Sequence, residues 1–204
     1  MNEKKIQKVI KRIFDILFSV LLFITTLPLL LIAIAVIKTN SPEGSFLFKQ
    51  KRSGYKCRSF TIYKLRTMSN DTDSHGNYLK DEERLHNWGR FIRKTNIDEI
   101  PQMINILKGD MSLIGPRPVL PTDVNKFNSY QLRRQEAIPG ISGWEAVNEW
   151  KTPTWDKKFE YDIFYVDNFS LWLDLKIFFK TIYVILFSRR PDDNYRPGRF
   201  EGEK

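Results

Sequence analysis

The stretch IFDILFSVLLFITTLPLLLIAIAVI, residues 13–37, decides the fold of this 204-residue chain. Twenty of its 25 residues are apolar, and a helix of that length can cross a bilayer core of about 30 Å. Pro28 lies near the middle, where a proline favours a kink. Basic residues flank the stretch on both sides, with Lys11 and Arg12 before it and Lys38 after it. Because basic flanks favour the cytoplasm, we expect a helix that enters the membrane, bends at Pro28 and leaves on the same side.

Two other interpretations of this stretch remain open. A cleaved signal peptide would explain the small residues AIA at 33–35, but its apolar region normally has only about 7–15 residues. A helix that crosses the membrane once fits the length, yet it would place one basic flank outside the cytoplasm. We divide the chain into a re-entrant membrane helix with a basic arm at 1–38, a cytoplasmic catalytic body at 39–188 and an extended C-terminal tail at 189–204.

Composition narrows the function classes. Charged residues make up 28% of the chain and aromatic residues 14%, which excludes a disordered protein. The single cysteine, Cys57, excludes an intrachain disulfide, and with His75 and His86 it cannot complete a four-ligand structural zinc site. The net charge of +9 favours partners that carry phosphate. A membrane-tethered nucleic-acid-binding module is therefore one alternative, but the sequence has no recognised reading helix or aromatic RNA-binding pattern, and we expect no nucleic acid partner.

The fold is predicted to be mainly α with a small β-hairpin, as a membrane-associated α/β body with interfacial helices. Residues 46–48 and 60–63 flank a turn signal at Ser53-Gly54, which is typical of a hairpin. Apolar spacing and stop signals predict four helices, at about 81–93, 98–108, 123–137 and 171–187. The last helix carries five aromatic side chains, so it belongs either in the membrane interface or in the core.

Two adjacent carboxylates, Asp98 and Glu99, are the candidate catalytic residues. They follow Thr95 and Asn96 and precede Pro101, a pattern typical of a helix N-terminus. Acidic residues at that position often only complement the helix dipole, so the pair alone does not define a site. Four basic residues in structured segments accompany it: Lys64, Arg66, Arg93 and Arg117. Together, cations and two oxygen ligands predict a diphosphate substrate with Mg²⁺ bridging carboxylate and phosphate oxygens.

Four motifs carry a further signal. They are KRIFD at 11–15, YKLRTM at 63–68, RFIRKTNIDEIPQMINILKGDMSLIGPRP at 90–118 and PGISGW at 139–144. These motifs resemble the bacterial sugar transferase family, the monotopic polyprenyl-phosphate phosphoglycosyl transferases, and the chain resembles the family's minimal catalytic form. The resemblance implies transfer of a phosphosugar from a UDP-sugar to polyprenyl (undecaprenyl) phosphate, with release of UMP. It also implies a place in the bacterial cytoplasmic membrane, at the first membrane step of glycan or exopolysaccharide assembly.

The resemblance implies roles for the candidate residues as well. Asp98 matches the family's nucleophile, which would form a covalent aspartyl-phosphosugar, and Glu99 matches a Mg²⁺ ligand. We expect the helix N-terminus to keep Asp98 ionised and to favour the approaching phosphate. The family's basic positions match three residues, which together with Arg66 are assigned to binding the substrate phosphates: Lys64, Arg93 and Arg117.

The chain departs from the family's pattern at two places. The family's re-entrant helix is broken at a Ser-Pro pair, and here Pro28 is the expected hinge but Leu27 replaces the serine. Trp144 is followed by EAVNEW where the family has AQVNGRN, which predicts altered specificity if this loop touches sugar or lipid. A catalytically inactive membrane scaffold is the other alternative, and the intact Asp98-Glu99 pair argues against it.

Overall fold

The structure is a computed structural model that describes residues 3–148, 154–187 and 200–202. Its α-helices, in chain order, are α1 (Glu3–Asn40), α2 (Asp81–Arg84), α3 (Asn87–Lys94), α4 (Met103–Lys108), α5 (Pro121–Val124), α6 (Ser129–Leu132), α7 (Trp144–Asn148), α8 (Trp155–Asp167) and α9 (Leu171–Phe187). Its strands are β1 (Leu47–Ser53), β2 (Ser59–Leu65), β3 (Ser112–Ile114) and β4 (Gly140–Ser142). Three short 3₁₀ helices complete the list, at Tyr55–Cys57, Ile97–Gln102 and Arg133–Glu136. The expected fold class, mainly helical with a small antiparallel sheet, is confirmed.

Helix α1 contains the whole apolar stretch and Pro28. It is long and apolar enough to cross a membrane by length and composition, and only 17% of its most apolar window is buried. A core helix would be mostly buried, so the low fraction excludes that role. The residues that are buried recur at helical spacing on one side: Asp15, Ser19, Leu30, Ala33 and Ile37.

The first half of α1 is fixed to the body by charged side chains. Lys11 Nζ donates to Asp174 Oδ2 at 2.7 Å and to the Ile114 carbonyl at 3.0 Å. The Arg12 guanidinium donates to carbonyls in the last turn of α4, where helix carbonyls lack partners within the helix. The buried carboxylate of Asp15 accepts the Leu113 backbone N–H at 3.1 Å.

The second half of α1 is fixed by apolar contacts. Leu30, Ala33 and Ile37 share one buried cluster with Leu65 of β2 and with two residues near the candidate carboxylates, Ile92 and Ile97. The body therefore contacts α1 on both sides of Pro28.

The hairpin predicted from the sequence is confirmed. Strands β1 and β2 are antiparallel, with Leu47 opposite Leu65 and Ser53 opposite Ser59. A second, parallel pair of strands, β3 and β4, was not predicted. Three-residue strands carry too little pattern to be read from a sequence, and this pair forms only because residues that lie 28 positions apart meet, as Ser112 does with Gly140.

Two predicted helices are divided in the structure. The helix at 81–93 splits into α2 and α3. The Arg84 carbonyl accepts a hydrogen bond from the Ser69 N–H instead of from the next turn of a helix, and the Leu85 side chain is buried in the body. The helix at 123–137 splits into α5, α6 and a 3₁₀ helix. Asn128 starts a new helix there, since its side chain accepts from the Gln131 N–H in a capping box.

The C-terminal helix has the predicted bounds, Leu171–Phe187, and Ser170 Oγ accepts the Leu173 N–H at its start. Most of its large apolar side chains are exposed, including Trp172 at 74%, so α9 is not a fully buried helix, although Ile177 packs in the core. Most of the predicted tail lies outside the described residues. Phe200, which is described, is buried in an aromatic cluster on the body.

Replacing Lys11 by Met should lower the free energy of unfolding by about 2–3 kcal/mol, because Asp174 would keep a largely buried charge without its cation. Denaturant unfolding in detergent measures the change. The control is Lys8→Met on the exposed part of the same helix, which should stay within about 0.5 kcal/mol. Equal losses in the two variants would contradict the anchoring role.

Candidate active site

Asp98 and Glu99 lie in the 3₁₀ helix Ile97–Gln102, directly before α4. Asn96 precedes them with a left-handed backbone (φ 58°), a conformation that asparagine tolerates better than most residues. This turn brings the chain out of α3 and reverses it toward the body. The helix predicted at 98–108 is present, but its first turn is tighter than an α-helix, and it ends at Gly109 with φ 90°.

Glu99 is the centre of an ion-pair group. Its Oε1 atom accepts from Lys64 Nζ and from Arg117 Nη2, both at 2.7 Å. Burial alone would raise the pKa of Glu99, but the positive charges of Arg117 and Lys64 outweigh burial and hold the pKa well below its usual range. Glu99 is therefore ionised, and three segments distant in sequence meet at its carboxylate.

Asp98 has the opposite electrostatic character. It is only 9% exposed, and burial, followed by the charge of Glu99, raises its pKa to about 6 against the opposing charges of Lys64 and Arg93. Desolvation therefore dominates over the neighbouring cations, and at pH 7 a carboxyl with this pKa is still mostly ionised, as the sequence analysis expects. Within the described residues no donor forms a hydrogen bond with its carboxylate, in contrast to that of Glu99.

The other two predicted basic residues lie in different surroundings. Arg93 donates from Nε to Thr67 Oγ1 at 2.7 Å, and its charge acts on Asp98. Arg66 instead donates to the hydroxyl and the carbonyl of Ser41, just after α1. Burial lowers the pKa of Arg66, and no carboxylate of the described residues forms an ion pair with it. The structure does not bring Arg66 to the acidic pair, and its position supports a structural role.

Lys64 is positioned by a residue that the sequence analysis missed. Asn105 of α4 is fully buried, accepts the Tyr63 N–H at 3.1 Å and donates to the Thr61 carbonyl at 2.7 Å. These two bonds fix the edge of β2 to the helix that follows Glu99. A polar residue inside the apolar run MINIL is the signal that could have indicated it.

Backbone hydrogen bonds fix the two residues that precede Arg117. The Gly115 N–H bonds to the Ser142 carbonyl at 2.9 Å, and the Gly140 N–H bonds to the Pro116 carbonyl at 3.0 Å. A Cβ on Gly115 would lie 2.2 Å from a backbone oxygen, so only glycine allows this approach.

A buried ion pair supports the same loop from behind. Arg134 Nη2 donates to the Arg117 carbonyl at 2.8 Å and to Asp162 Oδ2 at 2.5 Å. The side chains of Arg134 and Asp162 are 1% and 2% exposed. The sequence analysis missed both residues, because nothing local distinguishes a buried arginine from an exposed one.

Further charges surround Arg117. Burial lowers the pKa of Arg52, and the charge of Arg117 lowers it further. Burial also raises the pKa of Glu145, against the opposing charges of Lys158 and Arg117. Arg117 therefore belongs to a larger charged region that extends from β1 to α8.

The acidic pair is also the best candidate for holding a metal ion. No cluster of three or more His, Cys, Asp or Glu residues suitable for a metal occurs among residues 3–148, 154–187 and 200–202. Both cations bind Oε1 of Glu99, and its Oε2 accepts no hydrogen bond from any described residue. Mg²⁺ commonly binds through one or two carboxylates together with substrate phosphates and water. Asp98 and Glu99 fit that type of site.

An ionised carboxylate held by two cations, beside a second carboxylate without hydrogen bonds, makes this the candidate active site. The chain belongs to the bacterial sugar transferase family, which matches residues 6–188. The family resemblance of the sequence motifs is thereby confirmed.

Several sugar transferases are similar in sequence to this chain. The uncharacterized sugar transferase EpsL of Bacillus subtilis is 46% identical over 180 residues, which are 88% of this chain and 89% of EpsL. The UDP-N-acetylgalactosamine-undecaprenyl-phosphate N-acetylgalactosaminephosphotransferase of Aeromonas hydrophila is 44% identical, over 87% of this chain and 44% of the relative. The UDP-glucose:undecaprenyl-phosphate glucose-1-phosphate transferase of Klebsiella pneumoniae is 36% identical, over 87% of this chain and 40% of the relative. The chain thus spans less than half of the last two proteins.

Replacing Asp162 by Asn should lower the free energy of unfolding by about 3–5 kcal/mol, since Arg134 would be left as a buried cation without its counterion. Thermal or denaturant unfolding in detergent measures this. Asp167→Asn is the matched control on the same helix, because Asp167 pairs with Arg133 at the surface, and it should cost at most about 1 kcal/mol. A small effect of Asp162→Asn would refute the proposed support of the Arg117 loop.

Proposed function

We propose that this protein is a phosphoglycosyl transferase that moves a phosphosugar from a UDP-sugar to polyprenyl phosphate and releases UMP. The observation that carries the proposal is the ion-paired Glu99 carboxylate, which accepts from Lys64 and Arg117. Beside it lies the Asp98 carboxylate, which accepts no hydrogen bond from any described residue. The relatives from Aeromonas and Klebsiella, named for this reaction on undecaprenyl phosphate, support it.

The reaction proceeds in two displacements at phosphorus. First, an Asp98 oxygen attacks the phosphorus that carries the sugar, the bond from this phosphorus to the bridging oxygen breaks, and UMP leaves with the bond electrons. Second, a phosphate oxygen of polyprenyl phosphate attacks the same phosphorus and releases the Asp98 carboxylate. The product is polyprenyl-diphosphate-sugar, and one covalent intermediate lets one site serve two substrates in turn.

The neighbouring side chains prepare this chemistry. With a pKa of about 6, Asp98 is mostly ionised at pH 7 and yet poorly solvated, which favours attack on a substrate phosphate once bound. Lys64 and Arg117 each have further N–H groups, which can donate to phosphate oxygens of the substrate. Arg93 approaches Asp98 from α3 and adds a third cation to the site.

Mg²⁺ is the expected cofactor, held by Glu99 with Asp98 adjacent. When bound, it would neutralise the negative charge of the diphosphate and of departing UMP.

The same proposal includes a place in the bacterial cytoplasmic membrane with the body in the cytoplasm. The contacts of the body with α1 on both sides of Pro28 support an arrangement in which both ends of the helix lie on one face of the membrane. Thr25 and Thr26 donate their hydroxyl groups to carbonyls one turn earlier, an interaction that often bends helices. Together with Pro28, they support a re-entrant hinge. The exposed aromatic side chains of α9 fit the interface.

Replacing Asp98 by Asn should reduce UMP release by more than about a thousandfold, because the nucleophile is lost. The assay uses purified protein, Mg²⁺, polyprenyl phosphate and a panel of UDP-sugars that includes UDP-N-acetylgalactosamine and UDP-glucose. The matched control is Asp110→Asn, outside the acidic pair, which should leave the rate unchanged. Normal turnover by Asp98→Asn would exclude the covalent mechanism, and release of UDP by the unmodified protein would show that a different bond breaks.

The membrane arrangement predicts that Lys5 and the body after Lys38 are reachable from the cytoplasm. Single cysteines at Lys5 and at Lys49, in a Cys57→Ser background, should both be protected from an impermeant thiol reagent in intact cells. Both should react after the membrane is opened. Reaction of the Lys5→Cys protein in intact cells would show a spanning helix instead.

A further inference from the structure

A cavity of about 230 Å³ between α1 and α9 has no part in the chemistry described above. Its apolar walls are formed by six side chains: Ile10, Phe14, Leu113, Leu171, Leu175 and Phe178. Apolar cavities of this kind stay dry and take up hydrocarbon. An engineered cavity of about 150 Å³ holds the six carbons of benzene, so by proportion this one has room for about nine carbons.

The charged side chains that line the cavity form hydrogen bonds with each other, with a tyrosine and with the backbone. Lys11 bonds to Asp174 and to the Ile114 carbonyl, Asp174 also accepts the Tyr165 hydroxyl at 2.7 Å, and Asp15 accepts the Leu113 N–H. Two acids and one base make the wall negative overall. A phosphate group is therefore disfavoured here, and the occupant must be a hydrocarbon chain whose polar end lies elsewhere.

One short backbone segment joins the cavity to the active site. Ile114 lines the cavity, and Arg117, which binds Glu99, follows three residues later. Three residues of extended chain span at most about 11 Å. Arg117 therefore lies within about 11 Å of a residue that lines the cavity, a distance that a phosphate on the end of a seated hydrocarbon chain could span.

The cavity also continues into a surface suited to lipid. Phe14 and Leu175 line it and are themselves 50% and 39% exposed. Beyond them, Leu17 on α1 and Phe179 on α9 are more than 60% exposed. An exposed apolar surface of two adjacent helices is where a hydrocarbon chain from the bilayer can enter.

Building on the proposed function, we propose that the α1–α9 cavity binds the first isoprene units of the polyprenyl phosphate acceptor and guides its phosphate toward Arg117. About two isoprene units, ten carbons, match the available space. The cavity thus selects the acceptor by its hydrocarbon chain, while the acidic pair and its cations act on phosphate.

The test uses variants in which a larger side chain at a lining residue fills the cavity. Leu175→Trp adds bulk to a lining residue, and Ile182→Trp is its control, two turns along the same helix, outside the cavity and almost equally exposed (39% against 41%). Ile10→Trp on α1 is a second filling variant, with Ile13→Trp as its control. Measurements are the KM for polyprenyl phosphate, the KM for the UDP-sugar, and direct binding of polyprenyl phosphates with one, two and three isoprene units in the absence of UDP-sugar.

We expect both filling variants to raise the KM for polyprenyl phosphate about tenfold, the effect of losing burial of roughly two methylene groups. The KM for the UDP-sugar should not change. For the unmodified protein, binding should tighten from one to two isoprene units and change little at three; the filling variants should lose this gain.

Equal effects of filling and control variants would overturn the proposal, because they would show a general requirement for the lipid-facing surface. Unchanged acceptor KM and binding in the filling variants would also overturn it. The binding assay separates this proposal from the proposed reaction. If the unmodified protein releases no UMP with any UDP-sugar but shows chain-dependent binding that filling abolishes, the reaction fails and the cavity proposal stands.

Discussion

The Glu99 carboxylate is the point on which the catalytic body depends. Its Oε1 atom joins Lys64 at the end of β2, the 3₁₀ helix before α4, and Arg117 in the loop after β3. Each partner has its own support, Asn105 for β2 and Arg134 for the Arg117 carbonyl. Because two cations share one partly buried oxygen, the ion pairs are retained only while all three segments stay in place. The charge distribution of the site therefore depends on the same contacts that hold these three segments of the fold together.

This constraint separates the two carboxylates chemically. Glu99 takes the cations and stays ionised, whereas Asp98 is desolvated and keeps a raised pKa of about 6. Neighbouring acids whose surroundings drive their pKa values apart commonly have different roles. Glu99 binds the two cations, and the proposed function makes Asp98 the nucleophile, even though the two are adjacent in sequence.

The sequence alone predicts the long apolar helix, the hairpin and the acidic pair, because each has a strong local pattern. It fails where long-range contacts decide the outcome. Helices α2 and α3 are separated by bonds between Arg84 and Ser69, which no local propensity encodes. Arg66 is predicted to bind substrate as one of four basic residues in structured segments, but it follows the last residue of β2 and its guanidinium donates to Ser41 instead. Arg134 and Asp162 lie 28 residues apart, and their burial depends on the packing of α8.

The contact between Lys11 and Asp174 also has a consequence for the order of synthesis. The two residues are 163 positions apart, and at about 5–20 residues per second the ribosome needs roughly 10–30 s to make the intervening chain. Helix α1 therefore emerges long before its counterion exists. In the proposed membrane arrangement, α1 therefore inserts before Asp174 is made, and the body folds onto a helix that is already embedded. The order of synthesis would then place the membrane segment first and the catalytic site last.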